Sequence, residues 1–117
     1  MDLNEYQELA GRTHNKGISQ PEALANYALG LTGEAGEVAD QIKKHVFHGH
    51  ELDQEELKKE LGDVLWYIAN LAAVNSIELS EVAEMNINKL KKRYPEGFNQ
   101  ADSINRIENQ KGDDKNV

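Results

Sequence analysis

This chain of 117 residues carries a formal charge of −8, with 38% apolar and 29% charged residues, and fits one domain near the commonest size. The absence of cysteine excludes a disulfide framework and thiolate metal sites. Net acidity argues against binding nucleic acid through phosphate neutralisation, although it leaves small anionic ligands open.

In chain order, MDLNEYQELA has neither the basic start nor the apolar core of a secretory signal. It predicts a short first helix over residues 2–12, with Leu3, Tyr6 or Gln7, Leu9 and Ala10 as a weak apolar stripe. Residues 13–20 read as a loop. A second helix starts at Ser19-Gln20-Pro21-Glu22, where proline suits the first turn and Ser19 with Glu22 fits a capping box. Its apolar series is Leu24, Tyr27, Leu31, Ala35, Val38, Ile42 and Val46, spaced by three and four.

The third helix starts at Asp53, with Glu56 as partner in a second capping box, and carries Leu57, Leu61, Val64, Ile68, Leu71 and Ala72. Its apolar run Val64–Val74 is broken by Asn70 and is too short to span a membrane. The fourth starts near Ser80 and carries Val82, Met85, Ile87 and Leu90. Pro95 ends it, because the residue before a proline disfavours the helical region. The expectation is an all-α domain over residues 1–100, a bundle of four main helices, followed by a flexible polar tail over 101–117. A cytoplasmic protein without a membrane partner is the default. Trp66 and Ile87 lie off the main stripes, which points to self-association unless they cover loops of the same chain.

The stretch GEAGEVAD, residues 33–40, sets Glu34 and Glu37 three apart on a helix between Gly33 and Gly36. Glycine weakens a helix interior by about 0.8–1.0 kcal/mol relative to alanine, and neighbouring ionised glutamates repel. Something outside the helix has to compensate, and a cation is the first candidate. On a helical wheel Glu34 lies roughly 80° and Glu37 roughly 140° from the centre of the apolar stripe. In helix three, Glu60 is roughly 60° and Asp63 roughly 120° from Leu57, on the same rotational side. Packed together, the two helices bring four carboxylates to one place. These cannot all stay ionised unaided, so either protons or cations occupy the site. Oxygen donors without thiolate or paired imidazole favour Mg²⁺ or Mn²⁺. Gly30, Gly33 and Gly36 line another side of helix two, where a neighbouring backbone can approach closely.

GEAGEVADQIKK followed by KKELGDVLWYIANLA resembles the MazG-type all-α nucleoside triphosphate pyrophosphohydrolases, whose signature is ExxE on one helix and ExxD on the next. NINKLKKRYPEGF, residues 86–98, is similar to the stretch that closes their substrate site. The resemblance covers roughly residues 20–100 and implies dimeric or tetrameric helical bundles. It also implies Mg²⁺-dependent cleavage between the α and β phosphates of a nucleoside triphosphate, with Mn²⁺ as a substitute. Carried over by position, it makes Glu34, Glu37, Glu60 and Asp63 the metal ligands, directly or through water. Tyr67 matches a substrate-contacting tyrosine, Lys89 and Arg93 match a basic pair that meets the phosphates, and Asn86 is a looser match.

Asn86, Lys89 and Arg93 also continue the line of Val82 on helix four, where burial without partners would be costly. Triphosphate oxygens would supply partners, and the alternative is cations placed to suit the helix dipole. Glu37, further from the seam, is the expected general base for water attacking the α-phosphorus. HVFHGH, with His45, His48 and His50, matches no common zinc spacing. A non-catalytic helical module would explain the stripes but not the matched acidic edges, and a di-iron bundle would need Glu-x-x-His pairs.

Overall fold

The computed structural model describes residues 1–106 as five helices with no strand among them: α1 (Leu3–Ala10), α2 (Gln20–Phe47), α3 (Gln54–Val74), α4 (Leu79–Arg93) and α5 (Gln100–Asn105). A 3₁₀ turn, Gly11–Thr13, closes α1 where the sequence suggests one continuous helix to residue 12. The chain divides into two compact units, Met1–Leu79 and Ser80–Val117.

In the first unit, Ser19 and Glu22 form the expected capping box at the start of α2, with Pro21 in its first turn. Asp53 caps α3 by accepting from the backbone N–H groups of Glu55 and Glu56 at 3.0 and 3.2 Å. Between them the chain turns at Gly49, whose φ of +73° favours glycine. α2 and α3 then pack antiparallel along most of their length, and α1 lies on the C-terminal half of α3. That corner is a core of Ala10, Ala69 and Leu79, with Tyr6, Trp66 and Ile68 packed on it.

Polar side chains tie the corner together. Gln7 donates to the carbonyls of Ala69 (3.1 Å) and Ile77 (2.9 Å) and accepts from the Leu79 N–H (2.9 Å). Asn70, 2% exposed, donates to the carbonyls of Ala10 and Trp66. Trp66 donates to the Thr13 hydroxyl at 2.9 Å. The tryptophan therefore covers the turn after α1 within its own chain and does not argue for self-association.

One expectation is corrected in part by rotation. Of the expected stripe of α2, Leu24, Tyr27, Leu31 and Val38 are buried or half-buried, whereas Ala35 is exposed, Ile42 is 38% exposed and Val46 60%. Ala23, Gly30, Glu34 and Gln41 share the covered face, which is turned partly off the stripe, so that Glu34 lies within it rather than at its edge.

In the second unit α4 ends at Arg93, before Pro95 as expected. α5 is a difference from the expected tail. Asn99 caps it by accepting from the Asp102 N–H at 2.7 Å, and its amide donates back to the Asp102 carboxylate at 2.6 Å. A capped turn of this kind can form in a polar stretch with little apolar burial. The rest of the predicted tail, 107–117, lies outside the described residues.

Candidate metal centre

Because α2 and α3 run antiparallel, Glu34 meets the turn of α3 that carries Glu60 and Asp63. One carboxylate oxygen from each of the three lies within 4.8 Å of the other two. Glu34 and Glu60 are half-buried and Asp63 is exposed, so the group opens to solvent on one side. The Oε2 atoms of Glu34 and Glu60 are shielded from solvent and have no hydrogen-bond partner. Buried carboxylate oxygens left this way are costly, since neither water nor a donor offsets their lost hydration.

Electrostatics report the same crowding. The Glu60 carboxyl titrates above its ordinary value, first because a proton on it would be shared with the Glu34 carboxyl, then through desolvation and the charges of Glu34, Asp63 and Glu37. A proton held between the two carboxyls relieves the repulsion, and so would a cation. Three oxygen donors with no sulfur or imidazole match a hard divalent ion, and the two orphaned oxygens give it ready ligands. Glu37 is not one of the three. It is exposed, and its charge still reaches Glu60 and Lys44, raising the proton affinity of both.

Tyr67, one turn beyond Asp63, belongs to the same part of the hairpin. Its ring meets Trp66 edge-on with centroids 5.0 Å apart and Tyr27 at 6.3 Å, while Tyr27 and Trp66 are 5.5 Å apart. Tyr27 is 1% exposed, and its hydroxyl makes a close contact with Nδ1 of His14. Burial, followed by the neighbouring Tyr67, raises its pKa. His14 was not singled out by the sequence; a lone histidine in a loop gives no periodic signal, and only the fold brings it to Tyr27.

The glycines separate into two kinds. A Cβ at Gly30 would come within 2.7 Å of Tyr67 Cδ1 and closer still to Cε1 and Cζ, so a ring, not a backbone, approaches α2 there. Gly33 and Gly36 have nothing within 4 Å of such an atom, and the expected close approach does not occur at either.

Asn86, Lys89 and Arg93 stand on α4 in the second unit. Asn86 and Lys89 are exposed, and Arg93 is half-buried with its guanidinium 5.8 Å from the centre of the Tyr94 ring. Lys89 shares a hollow of about 250 Å³ with Met85, Asn88 and Lys92. Lys92 thus lies beside Lys89. On α2, Lys44 pairs with Asp40 at 2.9 Å and Lys43 approaches it at 4.0 Å. The Asp40 carboxyl is held below its ordinary value, chiefly by the Lys44 hydrogen bond. His45 contacts the His50 carbonyl through Nδ1 at 2.8 Å, and the rings of His48 and His50 are 6.4 Å apart. Among the described residues the histidines join no group able to hold a metal.

Residues 22–98 match the model of the MazG nucleotide pyrophosphohydrolase domain. The chain belongs to the MazG family. It is also similar to the Gene 37 protein of Mycobacterium phage L5, 39% identical over 89 residues that span 73% of this chain and 78% of the relative. No solved structure matches. The all-α architecture agrees with the membership, and no helix among the described residues is long and apolar enough to cross a membrane.

Proposed function

We propose that this MazG-family chain hydrolyses nucleoside or deoxynucleoside triphosphates between the α and β phosphates, yielding the monophosphate and pyrophosphate, as a nucleotide-pool house-cleaning enzyme. The observation that carries the reading is the pair of buried, unpartnered oxygens on Glu34 and Glu60 beside Asp63. A non-catalytic helical module has no use for them, and a redox di-iron site would require histidines that the hairpin does not supply.

In this reading Glu34, Glu60 and Asp63 hold Mg²⁺, with Mn²⁺ as a substitute. When bound, the ion would supply charge neutralisation for phosphate oxygens. Glu37, outside the trio and open to solvent, takes the proton from the attacking water, and the electron pair of the broken bond leaves with pyrophosphate. Tyr67 lies against the nucleoside, and Lys89 and Arg93, with Asn86, bind the phosphates, Arg93 as a bidentate fork.

Self-association as a dimer or tetramer is part of the proposal. On a wheel Ile42 and Val46 lie roughly 80–120° from Glu34 and Leu61 roughly 100° from Glu60, while Glu37 and Asp63 lie roughly 60° the other way. In an antiparallel pair this gives the hairpin one apolar broad side and one acidic broad side. Leu61 is 50% and Leu65 36% exposed on the apolar side.

The test is pyrophosphate release over a panel of normal and modified triphosphates, with Mg²⁺, with Mn²⁺ and with chelator. Metal-dependent release from at least one triphosphate is expected. Orthophosphate as the released product, or no release with any metal, would overturn the reading.

A further inference from the structure

Gly30 is the one glycine of α2 whose missing side chain is filled by another residue. The ring that fills it, Tyr67, is half-buried and flanked by two other rings. Trp66 stands edge-on at 5.0 Å on one side, and the buried Tyr27 stands at 6.3 Å on another. An alanine Cβ at Gly30 would overlap three ring atoms and force the ring away from α2. Gly30 precedes Glu34 by one helical turn and Tyr67 follows Asp63 by one turn, so the contact is made one turn from the acidic trio on both helices. Glycine is also the poorest helix former after proline, and α2 carries it here in a half-buried position.

We propose that Gly30 is a positioning residue for the site. By admitting the Tyr67 ring against the α2 backbone, it fixes the orientation of an aromatic surface beside the carboxylates, and that surface sets affinity for the nucleoside part of the substrate. The inference rests on the nucleotide reading for its ligand and on the Gly30–Tyr67 contact for its geometry. Gly33 and Gly36 do not share the role, since a side chain at either meets open space.

Gly30→Ala, Tyr67→Leu and the double variant are compared, with Gly36→Ala as the same change on the same helix. KM and kcat are read with Mg²⁺ and the best triphosphate, and the emission of Trp66, the single tryptophan of the chain, is read without substrate. Gly30→Ala is expected to raise KM about tenfold while kcat changes by less than about threefold, and to shift the Trp66 emission. In the Tyr67→Leu background the same change should add no further loss, and Gly36→Ala should behave as wild type. Wild-type KM and emission in Gly30→Ala overturn the proposal, as does an equal loss in the Tyr67→Leu background. If Gly30→Ala does not fold, the double variant should, because the overlapping ring is gone; a double variant that is also unfolded overturns it. A wild-type protein that cleaves no triphosphate removes the nucleotide reading and with it the ligand half of the inference. The emission of the substrate-free variants then still decides whether the ring is wedged.

Discussion

Asn70 and Glu60 lie on the same helix, and the hairpin treats their buried polar atoms in opposite ways. Around Asn70, each buried group meets a partner: its amide bonds the carbonyls of Ala10 and Trp66, and Gln7 bridges Ala69, Ile77 and Leu79. Around Glu60, two carboxylate oxygens are shielded from water and left without donors. Folding alone accounts for the first arrangement, because satisfied polar groups fix the corner at modest net gain. It does not account for the second, which is repulsive and half-dehydrated. A shared proton or a bound cation would relieve that repulsion, and variants at the two ends should differ in kind.

The largest effect is expected at the acidic end. Glu34→Gln, Glu60→Gln and Asp63→Asn should each lower turnover by at least about a hundredfold. Thermal stability without metal should hold or rise slightly, since each change relieves repulsion. Pyrophosphate release and melting curves with and without Mg²⁺ read both quantities. Full activity in all three would erase the contrast, and a marked loss of metal-free stability would make the acidic end structural too.

Lys89→Ala and Arg93→Ala come next, at about ten- to hundredfold in kcat/KM, the cost of a lost charge-assisted contact. Retained Mg²⁺ binding by calorimetry would separate phosphate binding from metal binding. Lys91→Ala is the control of equal charge, because Lys92 shares the hollow with Lys89. Equal losses in all of these variants, removed by salt, would point to general attraction instead.

At the satisfied end, Asn70→Ala should cost about 1–3 kcal/mol of stability by leaving a void and removing the amide's bonds to the carbonyls of Trp66 and of Ala10, which keeps the Thr13 hydroxyl as a donor. Its kcat should remain near wild type once the protein is folded. Denaturant titration together with kinetics checks this, and a fall in kcat without a fall in stability would break the division between the two ends.

The smallest effect is in pH dependence. Glu60 titrates near 4.5 when its surroundings are ordinary, and its folded pKa is raised above that. Across this interval the folded state binds more protons than the unfolded one, so metal-free stability should fall as pH rises through it. Glu60→Gln should flatten that slope, and Mg²⁺ should oppose it by replacing the proton. Melting temperatures from about pH 4 to pH 8 give the comparison.

Much of this was legible in the chain. The starts of α2 and α3 follow from Ser19, Pro21, Glu22 and Asp53, because capping and proline effects act within a few residues. The spacing of Glu34 from Glu37 and of Glu60 from Asp63 puts each pair on one side of its helix in any fold that keeps the helices. α5 leaves no such signal, because a single capped turn has no periodicity to read.

What the sequence could not decide is the rotation of each helix against its neighbour. The wheel fixes angles within one helix, whereas the face that becomes buried depends on how two surfaces interlock. Tyr67 seats against Gly30, Trp66 turns to the loop after α1, and Asn70 ties α3 to Ala10. These contacts join residues far apart in the chain, and together they turn α3 toward Glu34 and leave Ile42, Val46 and Leu61 at the surface. Local chemistry therefore determined which carboxylates the chain carries and how they are spaced; tertiary packing decided that three of them meet and that two of their oxygens are cut off from water.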